Sequence, residues 1–167
     1  MNPAARLAPR RAAAYHPCLA QPIPQTNTRS SRMADIKILN PDVLGTPLGQ
    51  YSQLTRVKAS EYLFIAGQLS CNKAGDSVGI GDFDAQCVQV FSNIETALKS
   101  QGAGWGNIVQ FTTYLVHSQD IPKFMTYRKR EFPKFFGNAN YPPNTLLMVD
   151  RLVKEEFLVE VQVVAAL

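Results

Sequence analysis

Cysteine and histidine are scarce in this chain of 167 residues: Cys18, Cys71, Cys87, His16 and His117 are the whole supply. An odd number of widely separated cysteines fits no disulfide framework, and the histidines and cysteines together lack the spacing of a zinc site. Free thiols of this kind suit a reducing compartment. No apolar run approaches the length of a membrane span, so no membrane partner is expected. Glycine-rich phosphate loops are missing as well. Gly79-Ile80-Gly81 has neither the third glycine nor the preceding βαβ setting that would cradle a pyrophosphate.

Acidic residues are absent from residues 1–32, which contain Arg6, Arg10, Arg11, Arg29 and Arg32, no lysine, and much Ala, Ser, Thr and Pro. An arginine-rich, acid-free amino terminus has the composition of an organellar transit peptide, and the expectation is a disordered leader directing the chain to the mitochondrial matrix. The alternative is an upstream extension bypassed by a start at Met33, with a cytosolic product. Pro3, Pro9, Pro17, Pro22 and Pro24 limit any long helix there. With the five arginines set aside from the 17 basic residues, twelve remain against 13 acidic ones. The body is therefore close to neutral, which is a poor electrostatic footprint for nucleic acid, and no nucleic-acid partner is expected.

Residues 33–167 suit one domain with a single core. Residues 35–48, with Pro41 and Pro47, read as an opening strand or arm. Residues 51–59 and 62–66 read as two strands, and the short Ala59-Ser60-Glu61 link between them suggests a hairpin. A helix should open at Asp82 or Asp84 and stop at Gly102, with Cys87, Val90, Phe91, Ile94 and Leu98 forming one apolar stripe. Residues 108–116 form a strand with Val109, Phe111 and Leu115 on one face and Gln110, Thr112 and Tyr114 on the other.

A second helix opens near Asp120, takes Pro122 in its first turn and gathers Phe124, Phe132, Phe135 and Phe136 on one side. Pro133 should kink or end it. The run Arg128-Lys129-Arg130 reads as a solvated face. Strands follow at 145–149 and 158–165. The order of elements favours an α+β fold with two helices on one face of a mixed sheet. Should the other face be apolar, as Val159, Val161 and Val163 hint, further copies of the chain are the simplest cover.

The last strand holds the one chemically pointed residue. Alternation puts Val159, Val161 and Val163 on one face, and Leu158, Glu160, Gln162 and Val164 on the other. Glutamate is seldom buried without a partner, so Glu160 either reaches water at a sheet surface or sits in a polar pocket where it can do chemistry.

Five motifs in register carry a family resemblance over most of residues 49–165. They are Gly49-Gln50-Tyr51-Ser52-Gln53; Leu63-Phe64-Ile65-Ala66-Gly67-Gln68-Leu69-Ser70; Gly81-Asp82-Phe83-Asp84-Ala85-Gln86 leading into Val90-Phe91-Ser92-Asn93-Ile94; Arg151-Leu152; and Val159-Glu160-Val161. In these the chain resembles the RidA/YjgF (reactive intermediate deaminase A, or endoribonuclease L-PSP) family. The resemblance implies a chorismate-mutase-like fold, a homotrimer whose sheets form a central barrel, and ligand sites in the clefts between subunits. It also implies hydrolysis of 2-imino acids and their enamine tautomers to keto acids and ammonia without metal or cofactor. The partner is then a small imine, enamine or keto-acid-like ligand.

Position by position, the resemblance makes Tyr51 an aromatic lining the cleft, Gly67 a backbone group close to the ligand, and Glu160 the acid that positions water. Three positions depart from the pattern. Asn144 stands where the family has the arginine that grips the substrate carboxylate, Leu146 replaces a cysteine, and Lys129 replaces an asparagine on the second helix. Exchanging a bidentate, charge-assisted contact for one neutral amide costs about 2 to 4 kcal/mol. Either Lys129 supplies the missing cation or the ligand lacks a carboxylate. A non-catalytic, trimeric ligand-binding protein is the alternative function, and endoribonuclease activity a more distant one.

Overall fold

A four-stranded mixed sheet in the order β3-β6-β4-β5 forms the centre of the computed structural model, which describes residues 34–137 and 141–167. Expectations for residues 1–32 lie outside the described residues. Strands β1 (Asp35–Leu39) and β2 (Leu54–Lys58) pair antiparallel as a separate two-stranded sheet. They are followed by β3 (Tyr62–Gln68), α1 (Phe83–Ser100), β4 (Ile108–Leu115), α2 (Ile121–Phe136), β5 (Asn144–Met148) and β6 (Val159–Ala166). Strand β6 is antiparallel to both β3 and β4, and β4 runs parallel to β5. Both helices pack on one face of this sheet, the α+β arrangement expected from the order of elements.

Helix α1 follows its sequence signals closely. The Asp82 carboxylate accepts a hydrogen bond from the Ala85 amide at 3.0 Å, a cap worth about 1 kcal/mol. Gly102, at φ 69°, supplies the left-handed stop, and the Ala103 amide returns to the Leu98 carbonyl at 3.0 Å. Cys87, Val90, Phe91, Ile94 and Leu98 are all buried in the core. Phe91 sits at its centre, with ring centroids 5.3 Å from Tyr127, 5.5 Å from Phe132 and 6.2 Å from Phe111.

Four expectations are corrected. First, β2 and β3 do not form a hairpin. Ser60 and Glu61 donate their amides to the Leu167 carbonyl at 2.9 and 3.2 Å, and Leu167 donates back to Glu61, so the link is tied to the end of β6. Second, α2 does not end at Pro133 but continues to Phe136. Proline so near a helix end forfeits a single backbone bond, and the stacked rings of Trp105 and Phe135, 4.2 Å apart, hold the last turn. Third, Val159, Val161 and Val163 face the helices and are buried by them, so they leave nothing for a second chain to cover. Fourth, Arg128 is only 1% exposed and does not belong to a solvated face, whereas Lys129 and Arg130 are exposed. A bulge between Ile108 and Gln110 also puts Ile108 rather than Val109 into the core cluster.

Among the described residues, no element covers the sheet face opposite the helices. Register pairs Phe64 with Val164, and Tyr114 with both Glu160 and Leu147, which places these side chains together on that face. Phe64 is 78% exposed there.

Candidate functional site

Glu160 and Gly67 meet on the open face. The register of β3 against β6 shifts between Ile65 and Gln68, and this irregularity brings the Gly67 backbone against the Glu160 side chain. A Cβ at Gly67 would overlap Glu160 Oε1 and stand 2.6 Å from Cδ and 2.9 Å from Cγ. Glycine is required here by close approach rather than by its torsion angles.

Two amide side chains hold this corner in place. Asn93 of α1 donates to the carbonyls of Leu69 and Cys71 at 3.0 and 2.9 Å and accepts from Gln89 at 2.8 Å, fixing the segment that leaves Gly67. Buried Gln86 donates to the carbonyls of Gly79 and Glu156 at 3.2 and 2.7 Å and accepts from the Leu158 amide at 2.9 Å. It thereby sets the start of β6 two residues before Glu160. Both residues lie inside the sequence motifs, but only their partners in space reveal what they do. An open cleft of about 730 Å³ runs from Gly67 along α1, past Cys71, Lys73, Gln89, Asn93 and Thr96.

The carboxyl of Glu160 is half-buried and, among the described residues, has no hydrogen-bonding or ion-pairing partner. Burial raises its pKa above the ordinary carboxylate range, since removal from water disfavours the charged form. A carboxyl that burial inclines towards its protonated form is the kind of group that takes a proton from water and passes it on. Cys87 differs: burial, with Asp84 and Asp120 nearby, pushes its thiol far above its usual range, so it is packing and not a nucleophile.

The remaining sequence-predicted residues are not joined to Glu160 and Gly67 by any hydrogen bond or ion pair among the described residues. Asn144 is in register with core residue Phe111, and its side-chain oxygen accepts a hydrogen bond from the buried Thr113 hydroxyl at 2.9 Å. The amide N–H groups of Asn144 have no partner among the described residues. Leu146 packs against the core cluster. Tyr51 is half-buried, and its hydroxyl accepts from the Leu48 amide at 3.3 Å. Lys129 is exposed on α2.

Sequence reasoning missed Arg128, the neighbour of Lys129. Its guanidinium turns inward, donates to the Gln50 carbonyl and lies 4.7 Å from the Phe132 ring centroid and 5.6 Å from that of Phe124. Burial lowers its pKa to about 10, while Tyr51 and Tyr141 act in the opposite direction, so it remains a cation at neutral pH. A basic residue within a basic run gives no sign that one member turns inward. The useful signal was helical spacing, because Arg128 lies four residues from both Phe124 and Phe132.

The chain thus carries the acid group of Gly67 and Glu160 on the open face and, apart from it, Tyr51 and Arg128 beside α2, while Asn144 and Leu146 stand on the core side of β5. Among the described residues, no group of His, Cys, Asp and Glu side chains is arranged to hold a metal ion.

Comparison with known proteins agrees with this architecture. The profile of the Endoribonuclease L-PSP family matches residues 44–167. A RutC family protein of Pyrococcus horikoshii is 31% identical over 119 residues, covering 71% of this chain and 88% of its own. A solved protein of the conserved Rid family from Yersinia pestis superposes with a TM-score of 0.71 at 28% identity, covering 79% of this chain and 98% of its own. A 2-iminobutanoate/2-iminopropanoate deaminase of Dermatophagoides farinae is 24% identical over 127 residues, covering 72% of this chain and 98% of its own. With the profile spanning both groups of site residues and the mixed sheet matching that of a solved relative, the chain belongs to the Rid (YjgF, endoribonuclease L-PSP) family.

Proposed function

We propose that this chain hydrolyses small reactive imines or enamines to a carbonyl product and ammonia, at a site completed between copies in a homotrimer. The observation that carries the reading is the Glu160 carboxyl, unpartnered among the described residues, raised in pKa and set against a glycine that leaves it room. An imine carbon is already electrophilic, so the task reduces to holding the substrate and orienting one water. Glu160 takes a proton as the water oxygen bonds to that carbon and delivers it to nitrogen. The resulting carbinolamine collapses to the carbonyl compound and ammonia. No electrons change hands, and neither metal nor cofactor enters the balance.

Support for assembly comes from the separation of these residues: Glu160 lies on the open face and Tyr51 beside α2, so in this reading a second chain brings its Tyr51 to the first chain's Glu160. The exposed Phe64 and its neighbours on the open face supply the apolar surface for such contact.

A second reading, a ligand-binding trimer without catalysis, is favoured by one observation: Asn144 gives its oxygen to Thr113 and offers a ligand only a neutral amide. The name of the family profile also points to RNA cleavage, against which stands the near-neutral charge of the body.

Generating 2-iminobutanoate in situ and following its loss separates these readings. Hydrolysis by the wild type supports the first. An inert wild type together with an active Asn144→Arg variant indicates a deaminase scaffold that has lost its anchor. Two inert proteins that still bind 2-oxobutanoate favour the binding reading.

A further inference from the structure

The segment that carries Tyr51 is built almost entirely on itself. Gln53 bonds to Asn40 at 2.9 Å and to the Gly45 carbonyl at 2.8 Å, Leu48 bonds to the Tyr51 hydroxyl, and the Tyr51 amide bonds to the Gly49 carbonyl at 2.9 Å. Between this segment and α2, the hydrogen bond among the described residues is the one from Arg128 to the carbonyl of Gln50, the residue directly before Tyr51. Its neighbour Gly49 rests near Met125 Sδ, where an added Cβ would sit at 3.6 Å.

Arg128 is also an unusual choice for that job. Its guanidinium is buried, faces no carboxylate among the described residues, and leaves its Nε without a partner there. A buried cation without a counter-ion is expensive, and a methionine or leucine would fill the space between Phe124 and Phe132 without that cost. What the guanidinium adds is a planar donor held rigidly by two rings, aimed at one backbone carbonyl, and a positive charge close to Tyr51.

We propose that Arg128 is the positioning residue of the Tyr51 half of the site: it clamps the loop at the Gln50 carbonyl and sets a fixed positive charge beside Tyr51. Among the ligands of the imine-hydrolase reading, that charge favours those with an acidic group, 2-imino acids and their keto-acid products. Arg128 acts on them through Tyr51 and through its field, not by contact. The substrate part of the inference rests on the imine-hydrolase reading; the clamp itself does not.

The test compares wild type, Arg128→Met and Arg128→Lys as full chains, using hydrogen exchange and steady-state kinetics. In Arg128→Met, amides of residues 48–52 should exchange at least about tenfold faster while those of α1 are unchanged. KM for in-situ 2-iminobutanoate should rise about tenfold or more with kcat within about threefold, because the Glu160 half is untouched. Arg128→Lys, which keeps the charge but not the fork, should fall between. Wild-type exchange in the loop together with wild-type KM overturns the proposal, as does a loss confined to kcat. If Arg128→Met does not fold, the lysine variant decides: shifts of a few-fold in the same directions support the clamp, and wild-type values overturn it. A wild type inert towards imines refutes the hydrolase reading alone, and the exchange measurement still decides the clamp.

Discussion

Gly67→Ala is the sharpest perturbation this structure offers, because it adds one carbon at a known place. The new Cβ would overlap Glu160 Oε1 and stand 2.6 Å from Cδ, and carbon atoms rest about 3.5 Å or more apart, so the carboxyl group must retreat by at least ~1 Å. The backbone at Gly67 has no left-handed torsion to strain, and Glu160 can swing towards the open face. Stability should therefore change by less than about 1 kcal/mol. Catalysis should suffer far more, since a misplacement of about 1 Å costs roughly 100-fold when one group must orient a water. The assay is kcat/KM for in-situ 2-iminobutanoate beside a denaturation curve. The Gly67→Ala/Glu160→Ala double variant is expected to be no worse than Glu160→Ala, because both changes remove the same carboxylate from the same place. A Gly67→Ala enzyme within about twofold of wild type would refute the reasoning, since the position of Glu160 would then not matter.

Other outcomes follow from the same geometry. Glu160→Gln should abolish turnover yet raise thermal stability at pH 8, because the folded state disfavours the charged acid. The sign follows from the raised pKa: the acid contributes stability below its unfolded pKa, which is lost as pH rises through the folded one. The gain over wild type should therefore vanish in acid, and a thermal melt series across pH checks it. Phe64→Lys, at a site 78% exposed on the open face, should leave the fold intact and yield monomers in sedimentation, with turnover lost as the two half-sites separate. A wild type that sediments as a monomer would remove the shared-site reading.

Much of the fold was legible because helical and strand periods are local. The spacing of Cys87, Val90, Phe91, Ile94 and Leu98 specified the buried side of α1, and Asp82 and Gly102 marked its ends. Period-2 alternation separated the faces of β6 but could not say which one the helices cover. Val159, Val161 and Val163 were thus right as a set and wrong as a clue to assembly. The hairpin between β2 and β3 failed because proximity in sequence lost to a partner more than a hundred residues away, the Leu167 carbonyl. Among the site residues, the contact of Gly67 with Glu160 follows from a register irregularity that no spacing rule supplies. Arg128 escaped notice because its inward turn depends on the loop lying over α2.

The strand order has a consequence for how the chain is made. Strand β6 is interior to the sheet, hydrogen-bonded to β3 on one side and β4 on the other, yet it follows β3, β4 and β5 in the sequence. Until it leaves the ribosome, β3 and β4 lack the neighbour that joins them, and the apolar stripe of α1 lacks the largest part of its floor. Folding therefore waits for nearly the whole body to be translated, and depends on pairing across long stretches of sequence, which is slow. A stalled nascent chain would expose bare strand edges beside uncovered aromatics, the condition in which chaperones bind and aggregation begins.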